Sequence, residues 1–226
     1  MEKKIGDVEK IIWDVSGTLW SDVDQVIYAN IKVLYDKGIL TVPSCRSEID
    51  VGKSLNYDWL SNNMLGSAVA QFRSFGLEGD DSYLEELYKK ALKFTSQNYP
   101  VYLFEGISDL LMNLSKKEVI QGVISSHPLN HLHEDFSRLG VIKYFRYIKG
   151  SVHDKADSIL EVAQESSLNL EKIIYVGDTM SDMQAANMAG VVPIGVDWGY
   201  QDRDLIEKGN PREIFSSVKD LSYYLL

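Results

Sequence analysis

Short apolar runs alternate with longer segments of helical periodicity along most of the chain. The first run is Ile11–Trp13, and four more follow after residue 118. These runs predict buried β-strands, because a strand that is covered on both faces is apolar throughout. The pattern predicts strands at 119–124, 147–148, 172–176 and 191–196, and helices at 107–117, 129–139, 155–166 and 181–189. Such alternation is typical of an α/β fold with a parallel sheet and right-handed crossovers.

Residues 20–99 have a different pattern, with helical periodicity and no convincing strand. Helices are predicted at 22–38, 56–75 and 81–98, because apolar residues recur there at the spacing of a helix face. We therefore expect two domains. Residues 1–19 and 100–226 would form the α/β core, and residues 20–99 would form an all-helical domain inserted after the first strand.

Composition narrows the class of protein. The 226 residues carry a formal net charge of −10, which disfavours non-specific nucleic-acid binding because phosphates would be repelled. No run approaches the roughly 20 apolar residues of a membrane span, and we expect no signal peptide. The one cysteine, Cys45, excludes an internal disulfide and suits a reducing compartment. We expect a cytoplasmic protein without nucleic-acid or membrane partners.

Several polar residues lie at or just beyond the predicted strand ends. Asp14 follows the first strand, Ser125 follows the second, and Asp178 follows the strand at 172–176. Lys155 and Asp182 lie near the starts of two predicted helices. The carboxyl ends of parallel strands meet at one edge of the sheet, where ligands bind, so these side chains can converge.

This set of side chains suits phosphoryl transfer. Asp14 would attack phosphorus and form an aspartyl phosphate. Asp178 would bind Mg²⁺, a hard cation that prefers carboxylate and water oxygens, and Asp182 would hold the metal's water shell or the loop that carries Asp178. Ser125 would donate a hydrogen bond to a phosphoryl oxygen. Lys155 would neutralise charge on the phosphoryl group and keep Asp14 ionised.

Each of these residues taken alone has a simpler explanation. Ser125 could cap the following helix, Lys155 could be a solvated surface lysine, and Asp182 could be an acid in a first helical turn. Zinc is disfavoured because the acids lack His and Cys neighbours. No glycine-rich loop ending in Gly-Lys-Ser/Thr is present.

Taken together, the order and spacing of these residues resemble the haloacid dehalogenase-like hydrolase superfamily over nearly the whole chain. Four motifs carry the resemblance: Asp14-Val15-Ser16-Gly17-Thr18, Val123-Ile124-Ser125, Lys155, and Gly177-Asp178-Thr179-Met180-Ser181-Asp182. The segment from Gly195 to Tyr200 is similar to the one after the last core strand in phosphoglycolate-phosphatase-like members. The resemblance implies a Rossmann-like core with a helical cap that hydrolyses a small phosphorylated substrate with Mg²⁺.

The resemblance also implies roles for particular residues. The catalytic residues would be Asp14, Ser125 and Lys155, and the metal would be held by Asp14, the backbone carbonyl of Ser16, Asp178 and Asp182. Gly17 would let the backbone turn sharply and approach a ligand closely. Substrate contacts would come from the first motif and the loop of the second motif: Ser16, Gly17, Thr18 and Ser126. Apart from the resemblance, Arg73 in the predicted cap is the best candidate for a contact with an anionic substrate.

Ser16 departs from the family's pattern. Phosphatases of the family carry a second Asp at this position, which acts as general acid for the leaving alcohol and then as general base for water. General acid–base catalysis is typically worth roughly 10² to 10⁴-fold, and a serine hydroxyl cannot replace it near neutral pH. The resemblance therefore implies an intact nucleophile and metal site without the proton shuttle.

Three functions remain open at this point. The chain could be a slow or specialised Mg²⁺ phosphatase, a relative of phosphonoacetaldehyde hydrolase that forms a Schiff base through Lys53, or a phosphate-binding regulatory protein. Dehalogenation is disfavoured, because those relatives work without a metal. The sequence names neither the substrate nor the oligomeric state, monomer or homodimer.

Overall fold

The computed structural model describes residues 8–39, 68–74, 76–152, 154–166 and 168–226. The chain divides into two compact units, one made of Met1–Ser21 with Tyr102–Leu226 and the other of Asp22–Val101. We call them the core unit and the helical unit. None of the described helices is long and apolar enough to cross a membrane.

The described part of the core unit contains eight strands. In chain order they are β1 (Lys10–Trp13), β2 (Trp20–Ser21), β3 (Tyr102–Leu103), β4 (Ile120–Ile124), β5 (Tyr147–Lys149), β6 (Ile173–Gly177), β7 (Val192–Val196) and β8 (Glu213–Phe215). Six of them form one sheet in the order β5-β4-β1-β6-β7-β8. Every neighbouring pair in that sheet is parallel. The predicted α/β class with a parallel sheet is confirmed.

Strand β1 lies in the middle of the sheet, between β4 and β6. All four of its residues are buried, as expected for a parallel strand that is covered on both faces. From β1 the chain continues to β4 and β5 on one side, and then returns to β6, β7 and β8 on the other. The strand order therefore reverses at β1, which is where open α/β sheets bind their ligands.

Helices cover the sheet of the core unit. They are α4 (Ile107–Lys116), α5 (Leu129–Arg138), α6 (Lys155–Glu165), α7 (Met180–Ala189), α8 (Arg203–Glu207) and α9 (Val218–Leu225), with 3₁₀ turns at Ile142–Tyr144 and Leu170–Lys172. Helices α6 and α7 pack their apolar faces on β1, β4 and β6, where Ile12, Ile124, Ile159 and Tyr175 belong to one buried cluster.

The helical unit has its own core. Its described helices are α1 (Val23–Asp36), α2 (Ala68–Ser74) and α3 (Asp81–Asn98). Asp80 begins α3 by accepting a hydrogen bond from the Tyr83 backbone N–H at 2.8 Å, the usual role of an aspartate N-cap. The buried cluster of this unit includes Val33, Phe72 and Leu84.

The structure adds short elements that the sequence pattern does not reveal. Strand β2 pairs antiparallel with β3, so the boundary between the units lies two residues beyond the predicted boundary at residue 19. Strand β8 and helices α8 and α9 extend the core unit after residue 200. The predicted helix at 56–75 is described only from residue 68. That the helical unit acts as a cap stays a prediction.

Candidate functional site

Three adjacent strands end in the polar residues that the sequence singles out. Asp14 follows β1, Ser125 follows β4 and Asp178 follows β6, all at the carboxyl edge of the sheet. All three are buried. The Asp14 N–H donates to the Val176 carbonyl at 2.9 Å, so parallel pairing between β1 and β6 continues up to the acid. Sheet register therefore brings Asp14 and Asp178 together.

The turn after Asp14 is folded tightly around one carbonyl. The Val15 oxygen accepts the backbone N–H groups of Thr18, Leu19 and Trp20. Gly17 has φ +77°, and a Cβ there would lie 2.1 Å from the Asp178 Oδ2. Only glycine fits both the backbone conformation and the space.

Lys155 joins two acids across the sheet edge. It is the first residue of α6, and its Nζ lies 2.7 Å from the Asp14 Oδ1 and 2.7 Å from the Asp182 Oδ1. The side chain is only 16% exposed, so the predicted surface alternative for this lysine does not apply. Its ammonium also lies 6.0 Å from the centre of the Tyr175 ring.

Asp182 is held by hydrogen bonds on both oxygens. Its Oδ1 accepts from Lys155 and from the Tyr175 hydroxyl at 3.2 Å. Its Oδ2 accepts the Thr179 N–H at 3.1 Å and the Thr179 hydroxyl at 2.6 Å. Thr179 and Asp182 form a capping box that begins α7. The Asp182 carboxylate therefore fixes both the start of α7 and the lysine.

Asp178 also receives a donor on each oxygen. The Thr18 hydroxyl donates to Oδ1 at 3.1 Å, and the Tyr200 backbone N–H donates to Oδ2 at 2.6 Å. Thr18 is completely buried. The first motif is thereby hydrogen-bonded to the fourth, and the loop after β7 reaches the same carboxylate.

Burial dominates the electrostatics of the site. It raises the pKa of Asp14 to about 7, with Asp182 adding to the rise and Lys155 opposing it. Burial also raises the pKa of Asp178 well above its usual value, and Asp14 and Asp182 raise it further. For Lys155, burial alone would lower the pKa, but Asp14 and Asp182 raise it well above its usual value. The lysine is therefore cationic at neutral pH.

The three carboxylates fit a divalent cation. Oxygens of Asp14, Asp178 and Asp182 lie within 4.8 Å of one another. If all three carboxylates are ionised and Lys155 is protonated, the cluster carries a net charge of −2, which a divalent cation would balance. The donor set consists of hard oxygens, which suit Mg²⁺.

The other predicted site residues are placed as follows. Ser125 accepts the His127 N–H on its Oγ at 3.2 Å, Ser126 is exposed, and Ser16 is half-buried in the turn after Asp14. In the helical unit, Arg73 is exposed and ion-paired with Asp81 at 2.5 Å. Lys53 lies outside the described residues.

Sequence patterns did not reveal the residues that support these acids. Tyr175 lies inside an apolar strand, where an aromatic side chain is an ordinary core residue. The Tyr200 contact comes from a backbone N–H, which any residue would supply. Thr179, in contrast, could have been recognised, because Thr followed by an acid three residues later is the sequence signature of a capping box.

The chain is similar in sequence to known hydrolases and phosphatases. Residues 11–196 match the model of haloacid dehalogenase-like hydrolases. The phosphoglycolate phosphatase of Escherichia coli (strain K12) is 25% identical, over 96% of this chain and 92% of that protein. That of Synechococcus elongatus is 25% identical over 53% of this chain and 57% of its own.

Solved structures share the fold. A haloacid dehalogenase-like family hydrolase from Streptococcus pneumoniae superposes with a TM-score of 0.77 at 22% identity, covering 96% of this chain and 99% of the other. A predicted phosphoglycolate phosphatase from Haemophilus somnus gives a TM-score of 0.74 at 20% identity, covering 96% and 97%.

These matches confirm the predicted enzyme class, a hydrolase of the phosphatase type. The family match extends from β1 to the end of β7, and so includes every acid of the site. The chain therefore belongs to the haloacid dehalogenase-like hydrolase family.

Proposed function

We propose that this protein is a Mg²⁺-dependent phosphatase that hydrolyses a small phosphate monoester through an aspartyl phosphate on Asp14. One observation carries the proposal: the buried Asp14 carboxylate lies 2.7 Å from the Lys155 ammonium. The oxygens of Asp178 and Asp182 lie within 4.8 Å of it. A nucleophile, a fixed cation and a metal-binding acid are thus placed together at the edge of the sheet.

Asp14 would attack the phosphorus atom in its ionised form. Burial disfavours that form, since it raises the pKa of this carboxyl group to about 7. Lys155 favours it, because the ammonium donates a hydrogen bond to the Asp14 Oδ1. The same ammonium would stabilise the charge that develops on the phosphoryl oxygens. Ser125, buried at the end of β4, would orient the phosphoryl group.

The metal would be held by Asp14, Asp178 and the Ser16 carbonyl. It would supply positive charge that screens the carboxylates from the phosphoryl oxygens. Asp182 would act from outside this shell, because its two oxygens already accept hydrogen bonds from Lys155, Tyr175 and Thr179.

Ser16 sets the expected rate. Its hydroxyl has no useful acidity or basicity near neutral pH, so the alcohol would leave and water would attack without general acid–base help from this position. General acid–base catalysis is worth roughly 10² to 10⁴-fold, and turnover would be slow by that order. The proposal also includes closure of the helical unit as a lid. It further includes substrate contacts with Gly17, Thr18, Ser126 and Arg73.

The substrate would be a small phosphorylated metabolite. Relatives that align with nearly the whole chain are phosphoglycolate phosphatases, so 2-phosphoglycolate heads the panel to be tested. We place the reaction in the cytoplasm, on the grounds of the single cysteine. Neither a monomer nor a homodimer is favoured by the described residues.

The test is phosphate release from a panel of phosphate esters with Mg²⁺, comparing wild type, Asp14→Asn and Ser16→Asp. We expect slow wild-type turnover that is lost with EDTA and in Asp14→Asn, and faster turnover in Ser16→Asp. Full activity in Asp14→Asn would exclude the aspartyl-phosphate mechanism.

Two other functions predict different results in the same assay. A C–P bond hydrolase would release phosphate from phosphonoacetaldehyde but not from phosphate esters. Borohydride would reduce its Schiff base and fix the substrate covalently on Lys53. A regulatory protein would bind phosphate or vanadate in the wild type and turn over no ester. Both functions need testing because the chain has Ser16 where phosphatases of the family carry a second Asp.

A further inference from the structure

The loop that follows β7 contacts the candidate site through four consecutive residues, Trp198–Gln201, which we call the 198–201 segment. The Trp198 Nε1 donates to the Thr18 carbonyl at 3.2 Å, and the Tyr200 N–H donates to the Asp178 Oδ2 at 2.6 Å. The Gln201 Oε1 accepts the Met180 N–H at 2.7 Å. The segment thus bonds to the turn after Asp14, to Asp178 and to the start of α7.

The Asp178 carboxylate is enclosed between two glycines. A Cβ on Gly199 would lie 2.3 Å from the Asp178 Oδ2 and 2.4 Å from the Gly17 carbonyl. A Cβ on Gly17 would lie 2.1 Å from the same Oδ2. Distances of this size are far inside van der Waals contact, so any side chain at residue 199 must displace the carboxylate or the turn.

The donors on Asp178 fix the plane of its carboxylate. Thr18 donates to one oxygen and Tyr200 to the other, and each oxygen keeps further acceptor capacity, since a carboxylate offers about four lone-pair sites. A cation at the site would use that capacity. Supporting hydrogen bonds of this kind orient metal ligands, and their loss typically costs about 10- to 100-fold in metal affinity.

We propose that the 198–201 segment positions Asp178 for divalent-cation binding, with Gly199 and the Tyr200 N–H as its positioning residues. The inference rests on the proposed function, because it assumes that Asp178 binds Mg²⁺. None of the four residues needs to touch the substrate.

The test is titration of the full-length protein with Mg²⁺ alone, followed by calorimetry. Wild type is compared with Gly199→Ala and with Gly195→Ala. Gly195 is a matched control, because it is equally buried in β7 and a Cβ there would lie 2.8 Å from Ile206 rather than from an acid. We expect Mg²⁺ affinity to fall about 10- to 100-fold in Gly199→Ala and to stay within twofold in Gly195→Ala.

A second variant covers the case in which Gly199→Ala does not fold. Trp198→Phe keeps an aromatic ring against Phe104 but removes the donor to the Thr18 carbonyl, so we expect weaker Mg²⁺ binding with a near-wild-type melting temperature. Unchanged Mg²⁺ affinity in the folded variants would overturn the inference and leave the proposed function standing. Equal weakening in Gly195→Ala would also overturn it, and a wild type that binds no Mg²⁺ would overturn both.

Discussion

At the scale of single residues, Asp14 couples the stability of the fold to pH. Burial raises its pKa from a usual 3.8 to about 7, so the folded chain holds a proton that the unfolded chain releases. The stabilisation from this proton is complete below pH 3.8 and is lost as pH rises through about 7.

We expect the free energy of unfolding in EDTA to fall between pH 4 and pH 7 in wild type, relative to Asp14→Asn, and to level off above pH 7. Asparagine has no proton to lose, so the difference between the two proteins reports the titration of Asp14 together with its effect on the neighbouring Asp178. Urea unfolding at several pH values measures it. A difference that stays constant over this range would mean that Asp14 is ionised throughout.

At the scale of single elements, the start of α7 contributes both to the stability of the helix and to the geometry of the site. Thr179 caps the helix and also holds the Asp182 Oδ2. Thr179→Ala should cost about 0.5–2 kcal/mol of stability and should also lower kcat, because Asp182 would no longer be fixed against Lys155.

The control for this variant is Ser217→Ala. Ser217 caps α9 by accepting the Asp220 N–H at 3.1 Å and donates its hydroxyl to the Asp220 carboxylate, so in the described part of the chain its side chain bonds within α9 rather than to the acids of the site. Chemical unfolding should show similar losses in both variants, whereas phosphate release should fall only in Thr179→Ala. Equal kcat values in the two variants would show that the capping box has no part in catalysis.

Element boundaries show what the sequence could predict. The helix predicted at 81–98 is observed as Asp81–Asn98, because a capping aspartate and a helix-forming composition both point to it. The strand–helix alternation located β1, β4 and β6, and with them the places of Asp14, Ser125 and Asp178. The two-residue strands β2 and β3 were missed, because a pattern of period two needs more residues to be seen.

The supporting contacts of the site could not be predicted in the same way. Local sequence gives Tyr175 and Gly199 no special status, because Tyr175 has the pattern of a core residue in an apolar strand and Gly199 acts on Asp178, which belongs to another motif. Only the sheet register and the path of the loop after β7 make them part of the site. The sequence thus located the acids but not what holds them.

At the scale of the whole molecule, the two units have separate buried clusters. Phe72 is completely buried in the helical unit, and replacing a buried Phe by Ala typically costs 3–5 kcal/mol. We expect Phe72→Ala to lower protection against hydrogen exchange in α1 and α3, while amides in β1, β4 and β6 keep theirs.

Ile159→Ala provides the opposite case. Ile159 is completely buried against the sheet in the core unit, so its loss should weaken the amides of β1, β4 and β6. Uniform loss of protection across both units in Phe72→Ala would show that the chain unfolds as one cooperative body.

The split of the core unit along the chain has a consequence for synthesis on the ribosome. Proteins emerge N-terminus first, and the hydrogen-bonded neighbours of β1 are residues 120–124 and 173–177. All of the 22–101 unit is therefore translated while β1 still lacks both neighbours. A nascent chain that stalls between residues 125 and 172 carries Asp14 and β4 but lacks both β6 and Asp178. The candidate site is therefore completed only late in translation, once β6 and Asp178 have been made.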